Sequence, residues 1–307
     1  MKLFAKRKGG PKKRKAAPQA DAVPDHKSVK VTKPSKEISQ EEHEAFLSDI
    51  KEKCASATFN DLKLRQWMVK NCASLAIERP TPVQYVCIPK ILQGQDVIAG
   101  SPTGSGKTAA FALPLMHKLS ADPYGIFSLV LTPTRELAVQ IAEQFTALGA
   151  PIRLKVCTII GGCSILEQQN ELRERPHIVV ATPGRLMQHM IGPSPPKLNM
   201  LHAIVLDEAD RLLDVDDFEQ QLETVVQFVP KACQLLLFSA TISKELETAF
   251  VKLKGLCGSK SKASMAQSRA VSKLPFVPGK EIPFGCGHVS DISICCCVAE
   301  MQVQVRL

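Results

Sequence analysis

Six apolar runs of strand length recur between residues 96 and 238, each divided from the next by a helix-length segment: Asp96–Gly100, Ser128–Thr132, Lys155–Ile160, His177–Ala181, Ala203–Leu206 and Gln234–Phe238. This alternation leaves few folds open, because a strand that returns through a helix pairs parallel with its neighbour. Runs that are apolar at nearly every position, rather than at every second one, belong to strands covered on both faces. The expectation is an α/β fold: a parallel sheet with helices on both faces. An apolar fraction of 45% in 307 residues supplies enough material for its core. Upstream, Ser39 to Cys54 is patterned as a helix, with Ser39 and Glu42 as a capping pair and Phe46, Leu47 and Ile50 on one face. A second helical stretch runs from Leu64 to Leu75.

Chemistry-bearing residues collect just after these runs. Thr103-Gly104-Ser105-Gly106-Lys107-Thr108 follows the first run and opens a helix-patterned stretch, so backbone N–H groups and a helix N-terminus can cradle phosphate there. The generic loop begins with Gly; here that position holds Ser101. Asp207-Glu208-Ala209-Asp210 follows the fifth run, which sets acids at the carboxyl end of a strand, where an open parallel sheet binds its ligands. Ser239-Ala240-Thr241 follows the sixth. Pro133-Thr134-Arg135-Glu136-Leu137-Ala138, Gly161-Gly162 and Thr182-Pro183-Gly184-Arg185 follow the second, third and fourth, and Arg79-Pro80-Thr81-Pro82-Val83-Gln84 precedes them all.

In this order and at these intervals, the segments resemble the amino-terminal half of a DEAD-box ATP-dependent RNA helicase over roughly residues 59–250. The resemblance implies a RecA-like P-loop NTPase domain that uses ATP and Mg²⁺. It assigns Gln84 to the adenine edge and Phe59 to the adenine face; a solvent-facing helix residue and a core aromatic are the alternative readings. Ser101, Thr103, Gly104, Ser105 and Gly106 would form the phosphate loop. Lys107 would reach the β- and γ-phosphates, and Thr108 and Asp207 would hold Mg²⁺. Glu208 would activate the attacking water. Asp210 would join a network with Ser239 and Thr241, which couples hydrolysis to strand separation. Pro133, Thr134, Arg135, Gly161, Gly162, Thr182, Pro183, Gly184 and Arg185 would contact RNA phosphates and sugars without reading sequence. Helix-start chemistry is the competing reading for the Pro-Thr-Arg and Thr-Pro-Gly segments.

The net charge of +9 is unevenly placed: Met1 to Lys36 holds twelve Lys or Arg against Asp21 and Asp25, leaving net +10 there and net −1 in everything after it. Basicity therefore belongs to the arm and says nothing about the folded part. Residues 1–36 read as a disordered basic tail whose Pro11-Lys12-Lys13-Arg14-Lys15 cluster suits a nuclear localisation signal or a solvated arm. Residues 37–87 read as a helical extension carrying the family's Q-motif, 88–252 as the ATP-binding domain, and 253–307 as an unrelated, disordered tail. No run approaches the roughly 18 apolar residues of a membrane span, so no membrane partner is expected. Eleven cysteines lack framework spacing, and Cys87 and Cys157 sit in apolar surroundings, as in a reducing compartment. The terminal set Cys286, His288, Cys295, Cys296 and Cys297 does not have the spaced pairs of a zinc site.

Family members carry a second domain with Ala-Arg-Gly-x-Asp and His-Arg-x-Gly-Arg segments, and neither occurs here. The segment Asp122 to Leu137 resembles the branch that acts in pre-ribosomal RNA processing. The functional expectation is an RNA-dependent ATPase of nuclear, nucleolar address, with pre-rRNA and ribosome-assembly proteins as partners. The alternative is a shortened module that binds ATP and RNA without unwinding and competes for partners of a longer enzyme.

Overall fold

The computed structural model describes residues 40–213 and 216–257, together with the backbone of 292–296. The basic tail 1–36 and the cap at Ser39 lie outside the described residues. All six expected strands form, each within one residue of its predicted ends: β1 (Asp96–Gly100), β2 (Ser128–Leu131), β3 (Val156–Ile159), β4 (Ile178–Ala181), β5 (Ala203–Leu206) and β6 (Gln234–Ser239). Ten helices accompany them among the described residues: α1 (Gln40–Ser56), α2 (Gln66–Ser74), α3 (Pro82–Leu92), α4 (Lys107–Leu119), α5 (Arg135–Gly149), α6 (Ile165–Arg173), α7 (Pro183–Ile191), α8 (Ala209–Leu213), α9 (Asp216–Val226) and α10 (Lys244–Leu256).

One expectation gives way. A seventh strand, β7 (Ile292–Cys296), pairs parallel with β1 in register Asp96↔Ile292 to Gly100↔Cys296, inside the stretch expected to hold no element. The physical reason is the edge: without β7 the far side of β1 would present unpaired N–H and C=O groups, and a short segment rich in isoleucine can satisfy them. The rest of 258–307, with Cys286, His288 and Cys297, lies outside the described residues.

The sheet order is β3-β4-β2-β5-β6-β1-β7, and every pair is parallel. Side chains alternate between two cores, as the pleat requires. Val97, Ala99, Val130, Val180, Val205, Leu236 and Phe238 face α2 to α5, where Phe111 lies between Phe145 and Phe238. Ile98, Leu129, Leu131, Val179, Ile204, Leu235 and Leu237 face α7 to α10. β2, β4, β5 and β6 are buried at every position, which is why those runs read as nearly unbroken apolar sequence, whereas the edge strand β3 alternates between buried and partly exposed residues. Cys87 and Cys157 are buried, as their apolar surroundings suggested. Among the described residues no helix is long and apolar enough to cross a membrane.

The end of α2 places Ala76 in a backbone conformation that favours glycine. Ala76 N–H donates to Ala73 O (3.1 Å) and Ile77 N–H to Cys72 O (2.9 Å), the paired bonds of a Schellman cap. That cap needs a left-handed residue, and Ala76 has φ +58°. Alanine there bears a steric strain that glycine would not.

Candidate functional site

Apart from the Arg79–Gln84 segment that opens α3, the chemistry-bearing loops leave the carboxyl ends of strands, and the strand order sorts them into two groups. β5, β6 and β1 are neighbours, so Asp207-Glu208, Ser239 to Thr241 and the glycine-rich loop converge at one end. β3, β4 and β2 gather Gly161-Gly162, Thr182 to Arg185 and Pro133 to Arg135 at the other.

In the first group, Gly104 (φ +79°) and Gly106 (φ +92°) hold the loop in the left-handed region, and Gly106 leads directly into α4. No side chain caps α4, so its first N–H groups face the loop as anion donors. Lys107 is buried, and its Nζ donates to Ser101 O (2.6 Å) and Ser239 O (3.2 Å), which ties the β1 and β6 loops together. Burial lowers its pKa, while Asp207, Asp210 and Glu208 act to raise it. Ser101 Oγ donates to Ser105 Oγ, so a serine at the loop's start is absorbed by the loop itself. Thr103 is exposed and Thr108 partly buried at the start of α4.

Gln84 is 3% exposed. Its Oε1 accepts from Thr81 N–H (3.1 Å) and its Nε2 donates to Gly106 O (3.1 Å), so the carboxamide fastens the α3 start to the phosphate loop. A Cβ at Gly106 would lie 2.5 Å from that Nε2, so the contact needs glycine. Phe59 is different. At 1% exposure it lies in the core cluster with Leu62, Leu64 and Met68.

Asp207 is 3% exposed, and burial pushes its carboxyl up to about 6 against the pull of Lys107. Among the described residues its hydrogen bond comes from Glu208 N–H (3.1 Å). A buried carboxylate with so few partners suits a hard cation, and Asp207 with the Thr108 hydroxyl gives the oxygen chemistry Mg²⁺ takes. Glu208 has φ +50°, and its Oε2 meets exposed Arg211 at 3.2 Å. Thr241 N–H donates to Ser239 Oγ (3.3 Å). Asp210 makes no hydrogen bond to either residue among the described residues; it acts on Lys107 and Asp207 through charge alone.

The second group lines a cleft of about 460 Å³ formed by Pro133, Arg135, Gly161, Gly162, Thr182, Gly184 and Arg185, together with Gln188, Phe218 and Gln221. Two of the nine expected RNA residues are not among its lining. Thr134 Oγ1 accepts from Leu137 N–H (3.3 Å) as the N-cap of α5, and Pro183 is buried at the first position of α7. The Thr182 hydroxyl, by contrast, caps nothing. Arg135 lies against the glycine pair: a Cβ on Gly161 or Gly162 would come within 2.9 Å of its guanidinium. Arg185 Nη2 donates to Cys163 O (3.0 Å).

Sequence reasoning missed the supports of this cleft. Gln168 Nε2 donates to Ile160 O (2.8 Å), and its Oε1 pairs with His189 Nε2 (3.2 Å), both side chains being buried. Since Oε1 only accepts, His189 carries its proton on Nε2. This link holds the glycine pair against α7. Phe218 and Gln221 were missed as well; the available signal was a glutamine on the apolar stripe of α9 that also carries Leu222 and Val225.

Residues 81–249 match the family described as DEAD/DEAH box helicase. The chain is 52% identical over 193 residues to "Probable ATP-dependent RNA helicase DDX49" of Mus musculus, covering 62% of this chain and 40% of that protein. It is 46% identical over 198 residues to "ATP-dependent rRNA helicase RRP3" of Pyricularia oryzae, covering 64% of this chain and 37% of that one. A crystal structure of a DEAD box protein from the hyperthermophile Methanococcus jannaschii superposes with a TM-score of 0.60 at 36% identity, over 64% of this chain and 53% of the other. The chain thus spans about 40% of the length of these curated relatives.

Proposed function

Because the chain belongs to the DEAD/DEAH box helicase family, we propose that it binds ATP at the β5-β6-β1 end of its sheet and RNA at the β3-β4-β2 end. The observation that carries this reading is the sorting of the loops by strand order, with Lys107 joining the β1 and β6 loops through Ser101 O and Ser239 O.

On this reading Lys107 leaves those carbonyls for the β- and γ-phosphates, and the loop N–H groups with the α4 N-terminus take the remaining phosphate oxygens. Gln84 leaves Gly106 O to pair with the adenine edge, since a carboxamide offers the donor and acceptor that adenine needs. Thr108 and Asp207 hold Mg²⁺, which neutralises charge on the phosphates. Glu208 orients the attacking water. Ser239 and Thr241 carry the change in the nucleotide loop toward the RNA cleft. In that cleft Arg135 and Arg185 supply charge, and Thr182 and the glycine N–H groups supply directed donors. Contacts of this kind fix a strand without reading its bases.

We further propose a role in ribosomal RNA processing with a nucleolar address, supported by the relative named as an rRNA helicase and by the basic cluster at Lys12 to Lys15. Transition-state arginines contribute roughly 10³–10⁵ in rate at phosphoryl-transfer sites, and in this family they come from the second domain. The 307-residue chain alone is therefore expected to turn ATP over very slowly and to separate no duplex. The second reading is a non-unwinding ATP- and RNA-binding module, supported by the family match lying within residues 81–249. RNA-stimulated ATP hydrolysis and strand displacement by the purified chain decide between them: unwinding at the rate of a two-domain helicase would overturn the expectation, and absence of any ATP binding would overturn both readings.

A further inference from the structure

Gln168 stands where α6 should carry an apolar residue. The helix leaves Ile165 and Leu166 exposed, and of its nine residues only Gln168 and Leu172 are buried. A glutamine inside with isoleucine and leucine outside is the reverse of a helix placed by hydrophobicity, so the carboxamide holds its place through its bonds. Both are made at once: Nε2 donates to Ile160 O (2.8 Å), the carbonyl just before the glycine pair, and Oε1 accepts from His189 Nε2 (3.2 Å) on α7. These two partners belong to different walls of the 460 Å³ cleft, since α7 also carries Gly184 and Arg185.

The ladder between β3 and β4 ends where Thr182 N–H donates to Ile159 O (3.0 Å), and past it the chain segments part, one into Gly161-Gly162 and the other into α7. Two side chains then span the gap. Arg185 Nη2 donates to Cys163 O (3.0 Å) from an exposed position, and Gln168 joins Ile160 to His189 in the interior. The arginine is a tie that a phosphate can take away, because a guanidinium gains by trading a neutral carbonyl for an anion. Gln168 is not part of the cleft lining, so a bound strand leaves it in place. We propose that Gln168 is a positioning residue for strand binding: once Arg185 has turned to phosphate, its carboxamide keeps the glycine N–H groups at a fixed distance from the start of α7, so that both meet one backbone. The proposal rests on the cleft being the RNA site. It makes affinity depend on both halves of the bridge, a donor toward Ile160 and an acceptor toward His189, and not on the volume that Gln168 fills.

The test is fluorescence titration of the full chain with a labelled RNA decamer from about pH 5 to about pH 9, each variant being compared with wild type at the same pH. Gln168→Met nearly keeps the volume but makes neither bond, and it should bind RNA about three- to tenfold more weakly across the whole range. Gln168→Glu should lose as much at the alkaline end, where a carboxylate accepts from His189 but has no proton for Ile160 O. Toward the acid end the carboxyl gains that proton, donates to Ile160 O while its other oxygen still accepts, and affinity should return toward the wild-type value. Burial favours the neutral acid. Burial and the Arg185 charge also lower the pKa of His189, so the acid takes the proton before the imidazole does. Glu171, the next acid along α6, is engaged by Cys157 Sγ (3.3 Å). A side chain that only filled space would show no rescue by protons. Circular dichroism and unchanged affinity for a non-hydrolysable ATP analogue report an intact fold, and the glutamate variant covers the case in which methionine disturbs it. A folded Gln168→Met that binds RNA like wild type, or a Gln168→Glu affinity whose ratio to wild type is the same at both ends of the range, overturns the proposal and leaves the cleft standing. Arg135→Ala tests the reading beneath: RNA affinity indifferent to it, or no RNA binding by wild type, overturns both.

Discussion

The two ends of the sheet's carboxyl edge solve opposite problems. At the nucleotide end, the groups assigned to ligand are already paired with protein: Lys107 with two carbonyls, Gln84 with Thr81 and Gly106, Ser101 with Ser105. At the strand end the supports are locked, but an open cleft remains, and the Thr182 hydroxyl is spoken for by no cap. The difference teaches where binding energy goes. A nucleotide must exchange existing bonds before it gains its own, so its apparent affinity falls with the fraction of loops that are open. A nucleic acid strand meets a surface already shaped and chiefly displaces water.

The largest effect that could break this contrast is Lys107→Ala. It should cost about 10- to 100-fold in affinity for a non-hydrolysable ATP analogue, as expected for lost charge-assisted bonds, while nucleotide-free RNA affinity stays the same. A parallel loss of RNA binding would mean that the two ends are not separate. Glu208→Gln sharpens the same point, since it should retain analogue binding and lower turnover alone.

Next comes Asp207→Asn. The folded carboxyl is raised to about 6, so between about pH 4, the ordinary carboxylate range, and pH 6 the folded state holds a proton that the unfolded chain has released. Asp207 therefore subtracts stability progressively as pH rises through that window. The asparagine variant should gain roughly 1–3 kcal/mol over wild type between pH 4 and pH 6 and keep that gain above it, in urea unfolding across pH. A flat difference would show that Lys107 fully offsets the buried charge.

At the strand end, Arg135→Ala should weaken RNA about fivefold and lower the salt slope by about one phosphate, with ATP-analogue affinity unchanged. The smallest effect is a control away from both ends. Ala76→Gly should raise stability by about 0.5–1 kcal/mol, because glycine accepts φ +58° without a Cβ clash, and should alter neither ligand.

The two ends also differ in how far sequence exposes them. The inner strands were legible because they are covered on both faces, and hydrophobicity reports that directly; β3, whose residues alternate between partly exposed and buried, was legible from its length and place between helix-length segments. The nucleotide loop was legible because Gly104, Gly106 and Lys107 lie within four consecutive residues. The cleft is assembled from the loops after three strands and from three helices, α5, α7 and α9, so half of it can be read as loops, while Phe218 and Gln221 reach it only because α9 packs on α7. Phe59 shows a second limit. An aromatic in a short polar segment looks the same whether it meets a ligand or the core, and its place in the cluster with Leu62 and Met68 was not readable from the segment. For β7 the deciding factor was the bare edge of β1, a property of the folded sheet and not of residues 292–296 alone.

Glu208 at φ +50° has a consequence for how such a chain can change. A side-chain-bearing residue in that region costs about 1 kcal/mol or more, so the position is filled against local backbone preference. Libraries selected for heat resistance alone should drift there toward glycine or asparagine, gaining stability and discarding the carboxylate. On the role proposed for Glu208, thermal robustness and turnover pull position 208 in opposite directions, and a thermostable descendant that keeps the glutamate will have found its compensation elsewhere.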